Sequence, residues 1–429
     1  YDGYVGTQRP LSEGWKLATP TQFAQAKWAQ AFNDGNAPSD PQFGSGPQPV
    51  MPYYLTPAGA PQGAPNTSLA DYDLYNNHIT IADQAGNNWF KDIFHPAPIT
   101  EHNISVSGGS SKSSFFAAFN YMYQEGTLIE TSLTRYSARI NSTFSVINDH
   151  VRIGENLFAF YKTNPGYFNA PGVNSTNSIN TAYQLPNIIP VHDIAGNYAG
   201  GISIGLGNAS NAVAIQERQA NNVNQNYQVL GNIFAEVDFL KHFTFHTSIG
   251  GNADYTYKNG FATTPYENAE NNHAANLYIE SYGISTGTIW TNTLKYTNKF
   301  GKNDLSILGG TEYIYNMGRG SQTTRGNYYI TDSSNLTVSP NLWTLNFGDA
   351  STQTNNSTIV LDNGLATPYQ QALFSLFARL DYAFDGKYLV SATFRRDGSS
   401  AFSSQQQYGN FPSFTVGWRV SEESFLKNV

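Results

Sequence analysis

The 429-residue chain is poor in charge, with 13% charged residues against about 25% in an average protein, and it is rich in aromatic residues, with 28 Tyr and 27 Phe. No run of about 18 apolar residues occurs, which excludes a transmembrane helix, and the lack of Cys excludes disulfides and thiolate metal sites. A formal net charge of −8 argues against a nucleic-acid-binding protein.

The first hundred residues predict one strand, one helix and a long loop. Residues 1–9 read as a short strand. A helix is expected from Pro20 to about Asn33, because Thr19 is a suitable N-cap and Pro suits the first turn. Its apolar residues recur at i, i+4 and i+7, which gives it a partly apolar face. From about residue 36 to 87 the chain is rich in Pro, Gly, Ala and Asn, and we predict a loop there.

The stretch from His102 to Asn164 predicts four strands, preceded by an aromatic segment that closes with two prolines. Tyr136, Ala138 and Ile140 alternate with polar neighbours, as in a strand with two different faces. The last three strands run roughly 12–16 residues, whereas strands of soluble proteins usually run about 5–6. That length suits strands that cross a bilayer at a tilt.

Further long hairpins follow, and the turns differ between the two ends of the strands. Turns are expected at Lys241-His242, at 301–304 and at Asp385-Gly386, whereas polar loops of tens of residues cover about 164–220 and 321–369. The count is about twelve strands. Short turns on one side and long loops on the other are typical of outer-membrane barrels.

This pattern predicts an all-β fold: an antiparallel transmembrane β-barrel with short periplasmic turns, long extracellular loops and one short helix near the N-terminus. A β-propeller would repeat a blade motif, and none is visible. A secreted carbohydrate-binding β-protein is the alternative from another class, but it would need shorter strands. Because no catalytic or metal-binding spacing is present, we expect neither an enzyme nor a cofactor.

Three passages resemble the SusC/RagA family of TonB-dependent outer-membrane transporters of Bacteroidota. The first is WFKDIF at 89–94 with HNISVSGG at 102–109, and the second is YQEG at 123–126 with RYSARIN at 135–141. The third is RRDGSSAF at 395–402 with YGNFPS at 408–413 and GWR at 417–419, and it is the most specific.

The resemblance implies a plug domain inside a barrel of about 22 strands, of which this chain would supply about 12. The chain is then the N-terminal half of the barrel: a first strand in 1–9, a first extracellular loop with the helix in 10–100, and strands and loops in 101–429. Since it starts at Tyr1 without Met or a signal peptide, we expect a fragment of a longer protein.

The resemblance also implies a function. Members of the family import a bulky nutrient, an oligosaccharide or a peptide, with a SusD-like surface lipoprotein as lid and with energy from the TonB complex acting on the plug. Outer-membrane lipid would surround the barrel, and no nucleic acid is implied. A siderophore or cobalamin receptor is the alternative within transport, which the third passage argues against. Tyr- and Asn-rich loops favour glycans over peptides.

Four charged residues are candidates for a structural network on the inner wall of the barrel. Alternation places Arg395 and Asp397 on the lumen side, where an ion-pair network explains them better than contact with substrate. Glu236 and Asp238 lie near His246 on the polar faces of paired strands. Their spacing matches no metal-ligand pattern, so we predict no metal site.

Aromatic residues in the long loops are the candidates for substrate contact. Tyr167, Phe168 and Trp343 could stack on sugar rings or grip apolar side chains of a peptide. Packing against the lid or against other loops explains them equally well. Trp290 and Trp418 are instead expected in the aromatic girdles at the bilayer boundary.

Overall fold

The computed structural model describes residues 1–11, 17–57, 67–166, 177–268, 276–334, 336–356, 359–361, 364–366 and 368–426. Its main element is an antiparallel sheet of 13 strands. In chain order these are β1 Asp2–Gln8, β2 Ala97–Ser110, β3 Ser113–Glu125, β4 Ser132–Val146, β5 Val151–Pro165, β6 Val223–Phe239, β7 Phe243–Ala262, β8 Leu277–Phe300, β9 Asn303–Gly326, β10 Asp349–Asn356, β11 Tyr369–Phe384, β12 Tyr388–Ser399 and β13 Tyr408–Trp418.

Each strand pairs with the next one along the chain, except that β10 pairs with β9 beside the main path and β9 continues to β11. The predicted long strands are confirmed: β3, β4 and β5 have 13, 15 and 15 residues, and β8 and β9 have 24 each. β2 starts at Ala97 rather than at His102. Pro98 pairs with Thr7 of β1 but lies before the pairing with β3, which starts at Ile99. Its missing N–H is tolerated because no strand pairs with it on the β3 side.

Five short turns lie at one end of the sheet, at 111–112, 147–150, 240–242, 301–302 and 385–387. Asp385 and Gly386 both have positive φ (53° and 66°), as a tight hairpin turn requires, which confirms the predicted turn. The turn between β6 and β7 lies one residue earlier than predicted, because Leu240 and Lys241 have positive φ (50° and 64°).

Aromatic residues form two rows on the outward face of the sheet. At the long-loop end, Tyr136, Tyr161 and Tyr227 belong to a row with ring separations of 4.7–6.4 Å. At the short-turn end, the Phe243 ring lies 5.6 Å from Phe239 and 5.0 Å from Tyr296. About twelve residues separate the rows on β7, which at about 3.3 Å per residue and a tilt of about 40° spans roughly 30 Å, the thickness of a bilayer core.

The belt of outward-facing residues between these rows contains hydrogen-bonded polar pairs and Trp290, whose position differs from the predicted one. Thr247 donates to Asn292 Oδ1 (2.7 Å), and Ser142 donates to Glu155 Oε2 (2.6 Å), so these groups are hydrogen-bonded across strands. Trp290, predicted in a girdle, pairs with Ile249 inside the belt instead and donates to Thr247 (3.2 Å).

The described parts of the long loops contain four helices: α1 Pro20–Asn33, α2 Trp89–Ile93, α3 Ser178–Gln184 and α4 Ala212–Glu217. Single-turn 3₁₀ segments occur at Leu69–Asp71, Pro340–Leu342, Leu345–Phe347 and Val420–Glu422, and two-stranded ribbons pair Ser39–Asp40 with Gly44–Ser45, Tyr54–Leu55 with Thr80–Ile81, and Ile359–Leu361 with Gly364–Ala366. α1 is confirmed, including the Thr19 cap, whose hydroxyl accepts from the Gln22 amide (3.2 Å). The other three helices were not predicted.

The described part of the chain contains no helix long and apolar enough to cross a bilayer.

Helices and irregular segments at the long-loop end share one apolar cluster, here called the loop core. Its fully buried members include Phe43, Trp89, Ile188 and Tyr266, which come from the three loops after β1, β5 and β7. Within the stretch 36–87, predicted as loop, the described residues 36–57 and 67–87 form no long regular element but pack against the rest of the loop core. Trp28 Nε1 donates to the Gly46 carbonyl (2.9 Å) and ties α1 to this stretch.

A charged side chain introduced on the outward face should lower the free energy of unfolding more than the same side chain introduced on the inner wall. Ile140 faces outward and is 46% exposed in the isolated chain, whereas its neighbour Asn141 faces inward. In the full-length protein in lipid vesicles, we expect Ile140→Arg to lower the free energy of unfolding by about 2–4 kcal/mol. Asn141→Arg is the matched control and should cost less than about 1 kcal/mol. Equal costs would contradict the assignment of the two faces.

Candidate functional site

The inner wall of the sheet carries a network around Arg395. Its guanidinium donates to Asp397 Oδ1 (2.7 Å), to Glu312 Oε1 (2.7 Å) and to the buried hydroxyl of Ser375 (2.9 Å), and it lies 5.6 Å from the ring of Phe377. These five residues share one face across β9, β11 and β12, since Glu312 pairs with Ser375 and Phe377 pairs with Arg395. The sequence placed Arg395 and Asp397 together but missed the partners on other strands.

A second network lies near the short turns. Arg152 on β5 binds both Glu236 and Asp238, with 2.7 Å to Asp238 Oδ2, and Thr244 donates to Asp238 Oδ1 (2.6 Å). His246 Nδ1 lies 3.5 Å from Glu236 Oε2. Arg152 was missed because only the register of β5 against β6 brings it beside these carboxylates. Within the described ranges, no group of His, Asp and Glu side chains is arranged to hold a metal ion. A structural role for the four predicted residues stays a prediction.

The predicted substrate-contact residues differ in what the structure shows of them. Tyr167 and Phe168 lie outside the described residues. Trp343 is half-buried: its ring lies 5.5 Å from Phe261, and its Nε1 donates to the Val338 carbonyl (2.8 Å). These contacts match loop packing, one of the two roles considered for Trp343.

A buried ion pair joins two of the long loops inside the loop core. Arg218, next to the end of α4, binds both carboxylate oxygens of Glu267 at 2.8 and 3.0 Å. The guanidinium also lies 5.3 Å from the Tyr198 ring and 5.1 Å from the Tyr266 ring. Tyr266 donates in turn to the Ser334 carbonyl (2.9 Å), which brings in a third loop. The loops after β5, β7 and β9 are therefore fixed to one another.

The buried carboxylate of Asp193 is the centre of a second cluster of polar contacts in the loop core. Its Oδ2 accepts from Tyr72 (2.6 Å) and lies 2.6 Å from His78 Nε2, while its Oδ1 accepts from the backbone amides of Ala195 (2.8 Å) and Asn197 (2.9 Å). Because Tyr72 and His78 belong to the loop after β1, this cluster joins that loop to the one after β5. The contacts of Asp193 with Tyr72 and His78 were not predicted, since they link residues more than a hundred positions apart.

Three tyrosines of the loop core ionise less readily than usual. Burial, followed by the neighbouring Asp193 carboxylate, raises the pKa of Tyr72, and burial followed by Glu217 raises the pKa of Tyr198. Burial also raises the pKa of Tyr266, against the opposing effect of the Arg218 charge. All three therefore stay neutral and remain hydrogen-bonded well above neutral pH.

Replacing Arg395 tests the inner-wall network. Arg395→Gln leaves Glu312 and Asp397 without their cation, and we expect it to lower the free energy of unfolding by about 1.5–3 kcal/mol. Arg379 binds Asp381 (2.7 Å) on the same wall but is exposed, so Arg379→Gln, the control, should cost about 1 kcal/mol or less. Urea unfolding of the full-length protein in detergent would measure both, and equal losses would contradict a structural network at Arg395.

High pH should open the loop core. Because the folded pKa of each core tyrosine exceeds the unfolded value near 10, its stabilisation is complete below about pH 10 and is lost as the pH rises further. We expect tyrosinate absorbance to rise in two phases, the later one coinciding with loss of near-ultraviolet circular dichroism.

A pair of variants identifies the tyrosines responsible for the later phase. Tyr266→Phe should diminish the later phase, whereas Tyr329→Phe, which removes a 79% exposed ring, should leave it unchanged. A single phase in the unsubstituted protein would show that the loop core does not hold its tyrosines.

Comparison with known proteins places this architecture among TonB-dependent receptors. The chain is 26% identical over 374 residues to a TonB-dependent receptor of Formosa agariphila, covering 84% of this chain and 34% of the relative. It is 25% identical over 365 residues to the TonB-dependent receptor SusC of Bacteroides thetaiotaomicron, covering 80% and 33%. The chain thus spans about a third of the length of these curated relatives. No family model matches it.

The fold is shared with a solved transporter. A chain of the RagAB peptide transporter superposes with a TM-score of 0.71 and 20% sequence identity, covering 99% of this chain and 44% of that chain. The predicted fold class is confirmed, as is the predicted resemblance to the SusC/RagA family. The chain is therefore similar in sequence to SusC and shares its fold with RagAB, and TonB-dependent receptors of this type are β-barrel proteins of the outer membrane of Gram-negative bacteria.

Proposed function

We propose that this chain forms the first part of a TonB-dependent barrel that imports a bulky nutrient, an oligosaccharide or a peptide, across the outer membrane. The observation that carries the proposal is the sheet itself, with two outward aromatic rows roughly 30 Å apart and an inner wall of ion pairs and carboxamides. A surface of this kind separates lipid from a polar passage. Transport rather than catalysis is its function, and the curated relatives are named as receptors.

The two edges of the sheet require further strands. Among the described residues, β1 pairs only with β2, and β13 pairs only with β12. Unpaired backbone amides and carbonyls in hydrocarbon are very unfavourable, so a closed barrel needs additional strands between these edges. The rest of the full-length protein would supply them, and a plug within the lumen would receive the pull of the TonB complex.

The packing of the loop core is an argument for a partner protein that binds at the outer surface. It joins the loops after β1, β5, β7 and β9 into one packed body at the long-loop end. Rigid loops of this kind give a lid protein a preformed surface, which lowers the entropy lost on association. The proposed lid is a SusD-like surface lipoprotein.

The proposal predicts a stable outer-membrane complex. The full-length protein, affinity-purified from detergent-solubilised outer membranes, should bring down a surface lipoprotein in about equal amount, as identified by mass spectrometry. Deletion of the TonB system should abolish uptake of the nutrient without changing the amount of protein in the membrane.

Other results would point elsewhere. A barrel that purifies without any lipoprotein would favour a siderophore-type receptor, and recovery only in the soluble fraction would rule out the barrel.

A further inference from the structure

An apolar groove of about 730 Å³ lies on the outward face of β7, β8 and β9, towards the short turns. Phe243 of β7 and Tyr296 of β8, which belong to the aromatic row at that end, stand at its mouth. The other outward residues that line it are Phe245, Asn292, Leu294, Ile307, Gly309 and Thr311. The groove therefore opens at the membrane boundary and extends into the hydrocarbon belt.

The groove exists because Gly309 carries no side chain. Gly309 pairs with Leu294 of β8 and with Ala378 of β11, so two small residues lie side by side on the outward face. Apart from its chain neighbours, no residue has a heavy atom within 4 Å of the place where a β-carbon of Gly309 would stand. An empty depression forfeits van der Waals contacts, so a molecule from the surrounding bilayer should fill it.

Two polar side chains close the inner end of the groove. Asn292 pairs with Thr311, and Asn292 Nδ2 lies 3.4 Å from Thr311 Oγ1. About four residues of β8 separate Asn292 from Tyr296, which at about 3.3 Å per residue and a tilt of about 40° is roughly 10 Å of depth. The apolar part of the groove therefore lies within one leaflet of a bilayer core that is about 30 Å thick.

A lysine without an anionic partner lies near the mouth of the groove. Lys241 is exposed in the turn between β6 and β7, two residues before Phe243. It forms no ion pair with any described residue, whereas Lys387, in the turn between β11 and β12, binds Glu423 (3.3 Å). A long lysine side chain at the membrane boundary extends its ammonium group into the headgroup region.

His242 lies beside the mouth as well. Its ring is 5.8 Å from the ring of Tyr296, and its Nδ1 donates to the Thr297 carbonyl (3.1 Å). This hydrogen bond fixes the ring and leaves Nε2 for a second polar contact. The boundary end of the groove therefore offers a held imidazole next to the cation of Lys241.

We propose that this groove binds a phospholipid of the periplasmic leaflet, with one acyl chain along Gly309 and the phosphate beside Lys241. An acyl chain matches the apolar walls, and the negative phosphate complements the lysine. The leaflet follows from the short turns, which lie on the periplasmic side of outer-membrane barrels. One lipid molecule then has a fixed place in the layer that surrounds the barrel. The inference depends on the barrel fold and not on the nature of the nutrient.

Binding of a defined phospholipid to the full-length protein tests the proposal. The protein is purified in detergent, stripped of lipid and mixed with dioleoylphosphatidylglycerol at increasing concentrations, and native mass spectrometry counts the bound molecules. We expect the first phospholipid to bind more tightly than those that follow. A first binding step no tighter than the later ones would overturn the proposal.

Gly309→Leu tests the place of the acyl chain. The added side chain has room, so the barrel should fold, which circular dichroism checks, but it occupies the space of the chain. We expect the affinity for the first phospholipid to fall about tenfold or more. Ala392→Leu is the matched control, because Ala392 pairs with the outward Leu380 and lies outside the groove. Equal affinities in the two variants would overturn the assignment of the groove.

Lys241→Gln tests the place of the phosphate. Loss of one lysine near the membrane surface should weaken binding of the anionic lipid about fivefold. Lys112→Gln, which removes an exposed lysine from the turn between β2 and β3, should leave the affinity unchanged. Equal affinities in these two variants would overturn the headgroup assignment. Release of a protein subunit by Gly309→Leu, with phospholipid binding unchanged, would show that the groove is a protein contact instead.

Discussion

The structure depends on one constraint, which is that every backbone amide and carbonyl within a bilayer needs a partner inside the protein. The antiparallel pairing meets it by an unbroken path from β1 to β13, in which successive strands are joined by short turns at one end. Long strands follow from the same constraint, because the pairing must extend across the whole apolar thickness and beyond it. The two unpaired edges are where the constraint is not met within the described part of the chain.

Strand alternation then assigns a separate chemistry to each face. Outward positions take aromatic and aliphatic residues, and inward positions take charges that neutralise one another across strands, as in the cluster of Arg395 with Glu312 and Asp397. The few polar residues on the outward face, such as Asn292, are hydrogen-bonded to a neighbouring strand. The pairing register therefore decides the hydrogen-bonded partners as well as the shape of the sheet.

A feature could be predicted from the sequence when it depends on residues that are close together along the chain. Alternation, turn residues and the Thr19 cap act within a few residues, so strand positions, most turns and α1 were predictable. Arg152 beside Glu236, and Glu312 beside Arg395, depend on pairing between strands that are 80 or more positions apart. The loop core could not be predicted, because its contacts join residues that are far apart in the sequence and lie in loops without a periodic pattern. Strand ends shifted where pairing extended past the apolar run, as at Ala97.

The barrel wall and the loop core are held in place by different kinds of contact. Asn164, Asn224 and Lys258 are fixed by the backbone ladder, which cannot change without disturbing the spanning sheet. Gln216 stands on α4, whose position depends on the buried contact of Arg218 with Glu267 instead. Changes in the loops can therefore move α4 while the membrane-spanning wall stays intact. The constraint on backbone pairing ends where the loops begin, so the loops can differ in sequence without loss of the paired wall.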